Sequence, residues 1–327
     1  MSEHVPINTV PCVEAYHHLC QLNSYRVAIS MYGYPGLHYI NHAIGIESVN
    51  FFGTGIFRVS PYTCKPLIGA YSDNILMSQG SLDWDIIYGK IEDNLLPIVA
   101  VDVYELPYKI HYKKTHGSHL VILNGYSDVG VHVIDWYAPE YYCGWVDFQT
   151  MNKARTSSGF NDKLLAFTEN DIHANWYYIV NQFRDQNAKE SLFSVLSFCV
   201  KAMLSQSDDR GLNFLNRLSG FIDKNTFYCE EMYSNLLKSL YYLELERRIH
   251  RWYVIEMSKT AHVEIYTNIH DKIDQIVKGM KNLVIKSIKL ESNLSEKGWS
   301  TRTQELYKLN ADLMHEYIRI LESWNVE

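Results

Sequence analysis

Cys20 stands in the run His17-His18-Leu19-Cys20-Gln21-Leu22-Asn23, where the spacing predicts a helix over 19–32 that stops at Gly33. A helix N-terminus carries partial positive charge and unpaired N–H groups. Both favour a thiolate over a thiol, and the same N–H groups can receive an oxyanion when that thiolate attacks a carbonyl. Cys20 is therefore the thiol of this chain best placed to be a nucleophile, and the one expected to alkylate first. Its competing role is that of a small buried apolar residue.

A base and an orienting group stand further along. His119 opens the apolar run His119–Tyr126, and Asp135 closes the run Val131–Trp136; Ser127-Asp-Val-Gly130 between them is a hairpin signal. A hairpin folds the start of one strand beside the end of the other, so His119 and Asp135 can be neighbours, directly opposite or diagonal. A carboxylate beside an imidazole fixes its tautomer and stabilises its charged form. Cys20, His119 and Asp135 thus supply nucleophile, base and orienter in that chain order. Other roles compete. His116 and His119 could be paired metal ligands, although further ligands at useful spacing are missing. Asp135 could merely end a strand, and His17 and His18 could be surface histidines or tune the thiol.

Elements must bring these residues together. Up to about residue 160 the pattern is mixed: helices over 19–32 and 82–95, the second stopped before Pro97, and strands over 98–104, 119–126 and 131–136, with a further one over 145–148. Residues 34–81 are rich in Gly, Pro, Asn and Ser and read as long loops with short elements. Beyond Phe160, helices are expected over 168–184, 188–204, 227–258, 263–290 and 301–324, the last opened by the capping-box pattern Thr301-Arg-Thr-Gln304. Ile269, Ile273, Ile276, Met280 and Leu283 recur at helical spacing, as do Leu306, Leu309, Leu313, Tyr317, Ile320 and Trp324. Such stripes serve packing inside one subunit, or a dimer or partner interface. The division expected is residues 1–160 as an α+β catalytic domain and 161–327 as a helical domain.

Composition narrows the class. The chain has 327 residues, 47% hydrophobic and 20% charged, as in globular proteins. Lys and Arg number 30 against 37 Asp and Glu, a net charge of −7, so there is no global pull toward nucleic acid or anionic lipid. Six cysteines, at 12, 20, 64, 143, 199 and 229, show no C-x-x-C spacing. No signal-peptide pattern or membrane span is evident, and the expected location is a reducing cytoplasm with free thiols.

The run PIVAVDVYELPYKIHYKKTHGSHLVILNGYSDVGVHVID, residues 97–135, resembles the N-terminal domain family of butirosin biosynthesis protein H. The parts that carry the likeness are the helix led by Cys20, Pro97, Val101-Asp102, Leu106-Pro107-Tyr108, His119, Gly125-Tyr126 and Asp135, together with the stretch Gly45–Phe52; it covers roughly residues 12–156. The resemblance implies a papain-like cysteine fold for the N-terminal half, with antiparallel strands, ahead of the all-α C-terminal half that the helical spacing predicts. It implies acyl transfer from a carrier-protein thioester to an amine, within natural-product or nonribosomal-peptide pathways. Cys20 would be nucleophile, His119 base and Asp135 orienter, with no metal or nucleotide cofactor; phosphopantetheine would belong to an acyl or peptidyl carrier protein. Papain-like enzymes place an oxyanion-hole Gln just before the Cys. Residues 12–19 hold neither Gln nor Asn, so the donor falls to the Cys20 N–H with Gln21, Asn23 or His17. Lys109, Lys113 and Lys114 form a candidate carrier-docking patch; as a plain charge run they would be a solvated loop. The helical half would bind acceptor or carrier, and its long helices allow a homodimer. A cysteine peptidase, amidase or thioesterase on the same triad, and a silent binding or scaffold protein, are the rival readings.

Overall fold

The computed structural model describes residues 20–36, 44–45, 48–49, 58–59, 75–79, 84–137, 140–157, 175–179, 187–207, 210–224, 230–263, 267–288 and 296–324. The chain divides into two units: residues 1–40 with 68–185, and residues 41–67 with 186–327. The first is α+β and the described helices of the second make it predominantly helical. The boundary therefore falls at Asp185 rather than at residue 160, and a segment from the N-terminal half belongs to the second unit.

The first unit is built on a six-stranded antiparallel sheet. In chain order its elements are α1 (Cys20–Met31), β3 (Ile75–Gln79), α2 (Trp84–Glu92), β4 (Ile98–Asp102), β5 (Ser118–Tyr126), β6 (Gly130–Asp135), β7 (Tyr142–Asp147), α3 (Phe148–Thr156) and β8 (Asn175–Ile179). The strands lie in the order β3-β8-β4-β5-β6-β7. Two short strands, β1 (Ser48–Val49) and β2 (Arg58–Val59), pair with each other in the second unit.

The central strands β4, β5 and β6 read as near-continuous apolar runs because helices cover both faces. Ile98, Ala100, Leu120, Ile122 and Ile134 pack against Tyr25, Val27, Ala28 and Ile29 of α1. The alternate residues Val99, Val101, Val121, Leu123, Val131 and Val133 pack with Ile87 and Ile91 of α2 and Met151 and Ala154 of α3. Each such aliphatic side chain contributes about 1.5–3 kcal/mol when fully buried, so the sheet is a firm base for groups at its ends.

Helix α1 closes at Gly33, whose φ of +87° is a left-handed conformation that glycine adopts without strain. Tyr34 N–H donates to the Ile29 carbonyl and Gly33 N–H to that of Ser30, a Schellman closure. The hairpin turns where Ser127-Asp-Val-Gly130 suggests, with Ser127 N–H donating to the Gly130 carbonyl at 2.9 Å. A Cβ on Gly130 would lie 2.3 Å from the Val146 carbonyl oxygen, so β7 approaches too closely for any side chain there.

Three expectations fail in this unit. The helix over 168–184 is contradicted by β8, whose Asn-Trp-Tyr-Tyr-Ile pairs with β3 and β4; aromatic residues suit a pleated surface. The strand over 145–148 begins earlier, at Tyr142, and ends where Asp147 caps α3 by accepting from Thr150 N–H at 2.8 Å. Helix α3 itself is not anticipated from the pattern.

In the second unit α4 (Ala188–Met203), α5 (Gly211–Lys224), α6 (Glu230–Ala261), α7 (Thr267–Ile288) and α8 (Glu296–Trp324) pack on one another. Ile269, Ile273, Ile276 and Met280, and Leu306, Leu313, Tyr317 and Ile320, are buried, so these stripes are used in packing within the unit. Helix α5 is an addition to the expected set. Helix α8 begins at Glu296, which places Thr301–Gln304 inside the helix rather than at its cap. Among the described residues no helix is long and apolar enough to cross a membrane.

Candidate active site

The register of the sheet decides how His119 and Asp135 meet. Ile122 pairs with Ile134, so counting on, Asp135 falls opposite Val121 and His119 is its diagonal neighbour. That separation is within reach of an imidazole. His119 Nε2 lies 2.9 Å from Asp135 Oδ1, with both residues buried.

Helix α1 brings the thiol to the same end of the sheet. Asn23 Nδ2 donates to the Trp136 carbonyl, just past β6, and Ser24 Oγ donates to the Leu120 carbonyl, at the start of β5. Cys20, one turn earlier on α1, is half-buried and its side chain is within hydrogen-bonding reach of the His119 ring. Since Nε2 is committed to Asp135, Nδ1 is the ring nitrogen left to meet the thiol. Of the sequence-predicted set, Cys20, His119 and Asp135 are therefore brought together.

The carboxylate is held from its other side as well. Lys109 Nζ lies 2.8 Å from Asp135 Oδ2, and Tyr108 Oη donates to the same oxygen at 3.1 Å. Lys109 also reaches Glu140 at 3.5 Å, and Glu140 Oε1 accepts the Ile110 N–H at 3.0 Å. Tyr108 stacks on Tyr142 with ring centroids 3.9 Å apart, while Tyr137 meets the His119 ring edge-on at 5.4 Å.

These contacts set the charges. Burial pulls the His119 imidazolium down, but the Asp135 carboxylate, and to a lesser extent Cys20, push it up to a net value of about 9. Burial raises the Asp135 carboxyl, and the opposing pull of His119 and then Lys109 leaves it below the usual carboxylate range. Tyr108 is driven well above its ordinary value, first by burial and then by Asp135, so it remains a proton donor.

Two site expectations are corrected. Lys109 cannot serve a docking surface: its side chain is 3% exposed and its ammonium is turned inward to Asp135 and Glu140. Turns over 106–115, with Lys109 N–H donating to the Leu106 carbonyl, fold it under the loop. Lys113 and Lys114 stay at the surface, Lys113 pairing with Glu105. Asn23 is also not a free oxyanion donor, since it is 2% exposed and its amide nitrogen ties α1 to the sheet. His17 and the Gln21 side chain lie outside the described residues.

His116 serves a different carboxylate. Its Nδ1 lies 2.7 Å from Asp102 Oδ2, and its ring stacks on Tyr104 with centroids 4.1 Å apart. Asp102 also accepts from Ser157 Oγ and from the N–H groups of Tyr104 and Gly117. The Val101-Asp102 step is thus an anchor for the crossing from β4 to β5. His116 and His119 do not converge on a shared ligand position, and no group of three or more His, Cys, Asp or Glu among the described residues could hold a metal ion.

Glu140 and Tyr137 are site residues that sequence reasoning missed, and Tyr108 was visible only as part of Leu106-Pro107-Tyr108. The chain matches no protein-family model and no curated protein.

Proposed function

We propose that this chain is a cysteine acyltransferase of papain-like design, taking an acyl group from a thioester and passing it to an amine. One observation carries the reading: Cys20 at the start of α1 faces a buried His119 whose Nε2 is held by Asp135 at 2.9 Å. Nucleophile, base and orienter in hydrogen-bond sequence are the arrangement that acyl transfer needs.

In the first half-reaction His119 takes the Cys20 proton and Sγ attacks the thioester carbonyl carbon. The oxyanion is received by N–H groups of the first turn of α1, including that of Cys20. The carbonyl carbon then releases the donor's sulfur, which leaves as a thiol with the proton held on His119. In the second, the amine nitrogen attacks the acyl-Cys20 carbonyl and gives a proton to His119. The C–S bond breaks, and Cys20 is restored with the amide formed. Throughout, Asp135 holds the ring orientation and balances the imidazolium charge. A carrier protein bearing the thioester would meet Lys113 and Lys114, which remain at the surface, rather than Lys109.

The test is turnover of a small acyl thioester with and without a primary amine. Amide formation that is lost in His119→Ala supports the reading. Free acid at a rate indifferent to amine would assign hydrolysis instead, and no thiol release from any thioester would leave a silent binding protein.

A further inference from the structure

The polar cluster behind His119 holds two carboxylates, Asp135 and Glu140, on one ammonium, Lys109. If Lys109 faced Asp135 alone, the pair would be neutral as seen from the imidazole, and Asp135 would have little charge left to support a protonated His119. Glu140 takes a share of the same ammonium and leaves one negative charge over. We propose that Lys109 and Glu140 are positioning residues that set the charge on His119 through Asp135, Glu140 favouring the imidazolium and Lys109 opposing it. The inference rests on the acyl-transfer reading for its purpose: it fixes the pH range over which His119 can hold and return the proton.

The groups facing His119 from each neighbouring element support this. From α1 comes Cys20. Across β4, His119 pairs with the uncharged Val101, and the adjacent Asp102 is engaged by His116, Ser157 and two backbone N–H groups. From the end of β6 comes Asp135, and after it the Tyr137 ring, edge-on. Behind Asp135 stand Tyr108, a neutral donor, then Lys109 and Glu140. Among the described residues, Lys109 and Glu140 are thus the charges at one remove. Glu140 is 17% exposed and Lys109 3%, so solvent screens them only in part.

The geometry also separates placing from charging. Lys109 and Tyr108 both bind Oδ2, which leaves Oδ1 for His119. Among the described residues, the polar partners of the Glu140 carboxylate are Lys109 and the Ile110 N–H. A glutamine there would keep an acceptor for that N–H and lose only the charge.

The experiment is a histidine NMR titration of the full chain carrying Cys20→Ala, with the His119 signal identified by its loss in His119→Gln. Glu140→Gln is expected to lower the His119 midpoint by about half to one pH unit, and Lys109→Met to raise it by a similar amount. The double variant removes one charge of each sign and should return the midpoint to within about 0.3 unit of the parent. Midpoints that do not move, or that move in the same direction in both single variants, would overturn the proposal, because mere structural damage has no reason to change sign. Should Lys109→Met fail to fold, Glu140→Gln with Glu140→Asp gives the test: a downward shift in the first that the second, which keeps the charge, does not show supports it, and an equal midpoint in parent and Glu140→Gln overturns it. The titration does not use the Cys20 thiol, so its failure is distinct from failure of acyl transfer itself. In turnover, the basic limb of the rate profile should follow the same two directions.

Discussion

Each unit buries a carboxylate beside a cation, with opposite outcomes. In the first, Asp135 receives His119, Lys109 and Tyr108 and is held below the usual carboxylate range. In the second, Glu246 has Arg247 at 2.8 Å, yet burial outweighs that partner and pushes the carboxyl up to about 8. Arg247 is itself shared, reaching Asn310 Oδ1 at 3.3 Å through one nitrogen and 3.4 Å through another. The difference lies in how many donors reach the oxygens. One ion pair rarely repays the desolvation of both charges, whereas several hydrogen bonds on one carboxylate can. The three-donor carboxylate keeps its charge and can work on a histidine; the other behaves as part of a helical core.

The largest expected effect comes from breaking the first cluster at its working atom. Asp135→Asn should lower the single-turnover rate of Cys20 acylation about 10³- to 10⁴-fold by disturbing the His119 tautomer. Far-UV circular dichroism should be unchanged, since the amide fills the same space. Full activity would remove Asp135 from the mechanism and make the two clusters alike in being structural.

Next comes the second cluster. Arg247→Met leaves the oxygens of Glu246 and Asn310 without their shared donor and should destabilise the helical unit by roughly 1–3 kcal/mol per stranded acceptor, read by urea denaturation. The acylation rate of folded protein should be unaffected. A variant as stable as the parent would show that this cluster does not hold the helical core together.

Smaller effects appear in the pH dependence of stability. His119 rises from its ordinary 6.5 to about 9, so its stabilisation is complete below pH 6.5 and is lost as pH climbs through 9. Glu246 rises from 4.5 to about 8, so its contribution is complete below pH 4.5 and disappears on passing through 8. Both have the same sign, and stability should fall as pH rises. Glu246→Gln should flatten the urea midpoint between pH 4.5 and 8, and His119→Gln between 6.5 and 9. Variants that leave the profile unaltered would place the titrations elsewhere.

The groups proposed to react were more legible in the sequence than their supports. Ser127-Asp-Val-Gly130 interrupts two apolar runs, and a hairpin there must bring His119 toward Asp135. Only the observed pairing of Ile122 with Ile134 selects the diagonal arrangement. The role of Lys109 was hidden because it precedes Lys113 and Lys114 in what reads as one charged loop. Its inward turn depends on backbone bonds within 106–115 and on Glu140, 31 positions away. Strand β8 was hidden for a related reason: Asn175–Ile179 is a five-residue run inside a stretch that reads as helical, and it becomes a strand by pairing with β3 and β4 on either side. Local pattern carries periodicity and turns; it does not carry a partner supplied from a distant segment. The Schellman closure at Gly33, by contrast, is local, and the stop of α1 is where that residue places it.

The central claim is that Cys20 carries the acyl group. Intact-protein mass spectrometry after incubation with a small acyl thioester tests it directly, with Cys20→Ala and His119→Ala measured alongside. The account predicts a gain of one acyl mass on the parent chain, located to Cys20, absent in Cys20→Ala, strongly slowed in His119→Ala and discharged by added amine. A gain that persists in Cys20→Ala, or none with any of several thioesters, would contradict it.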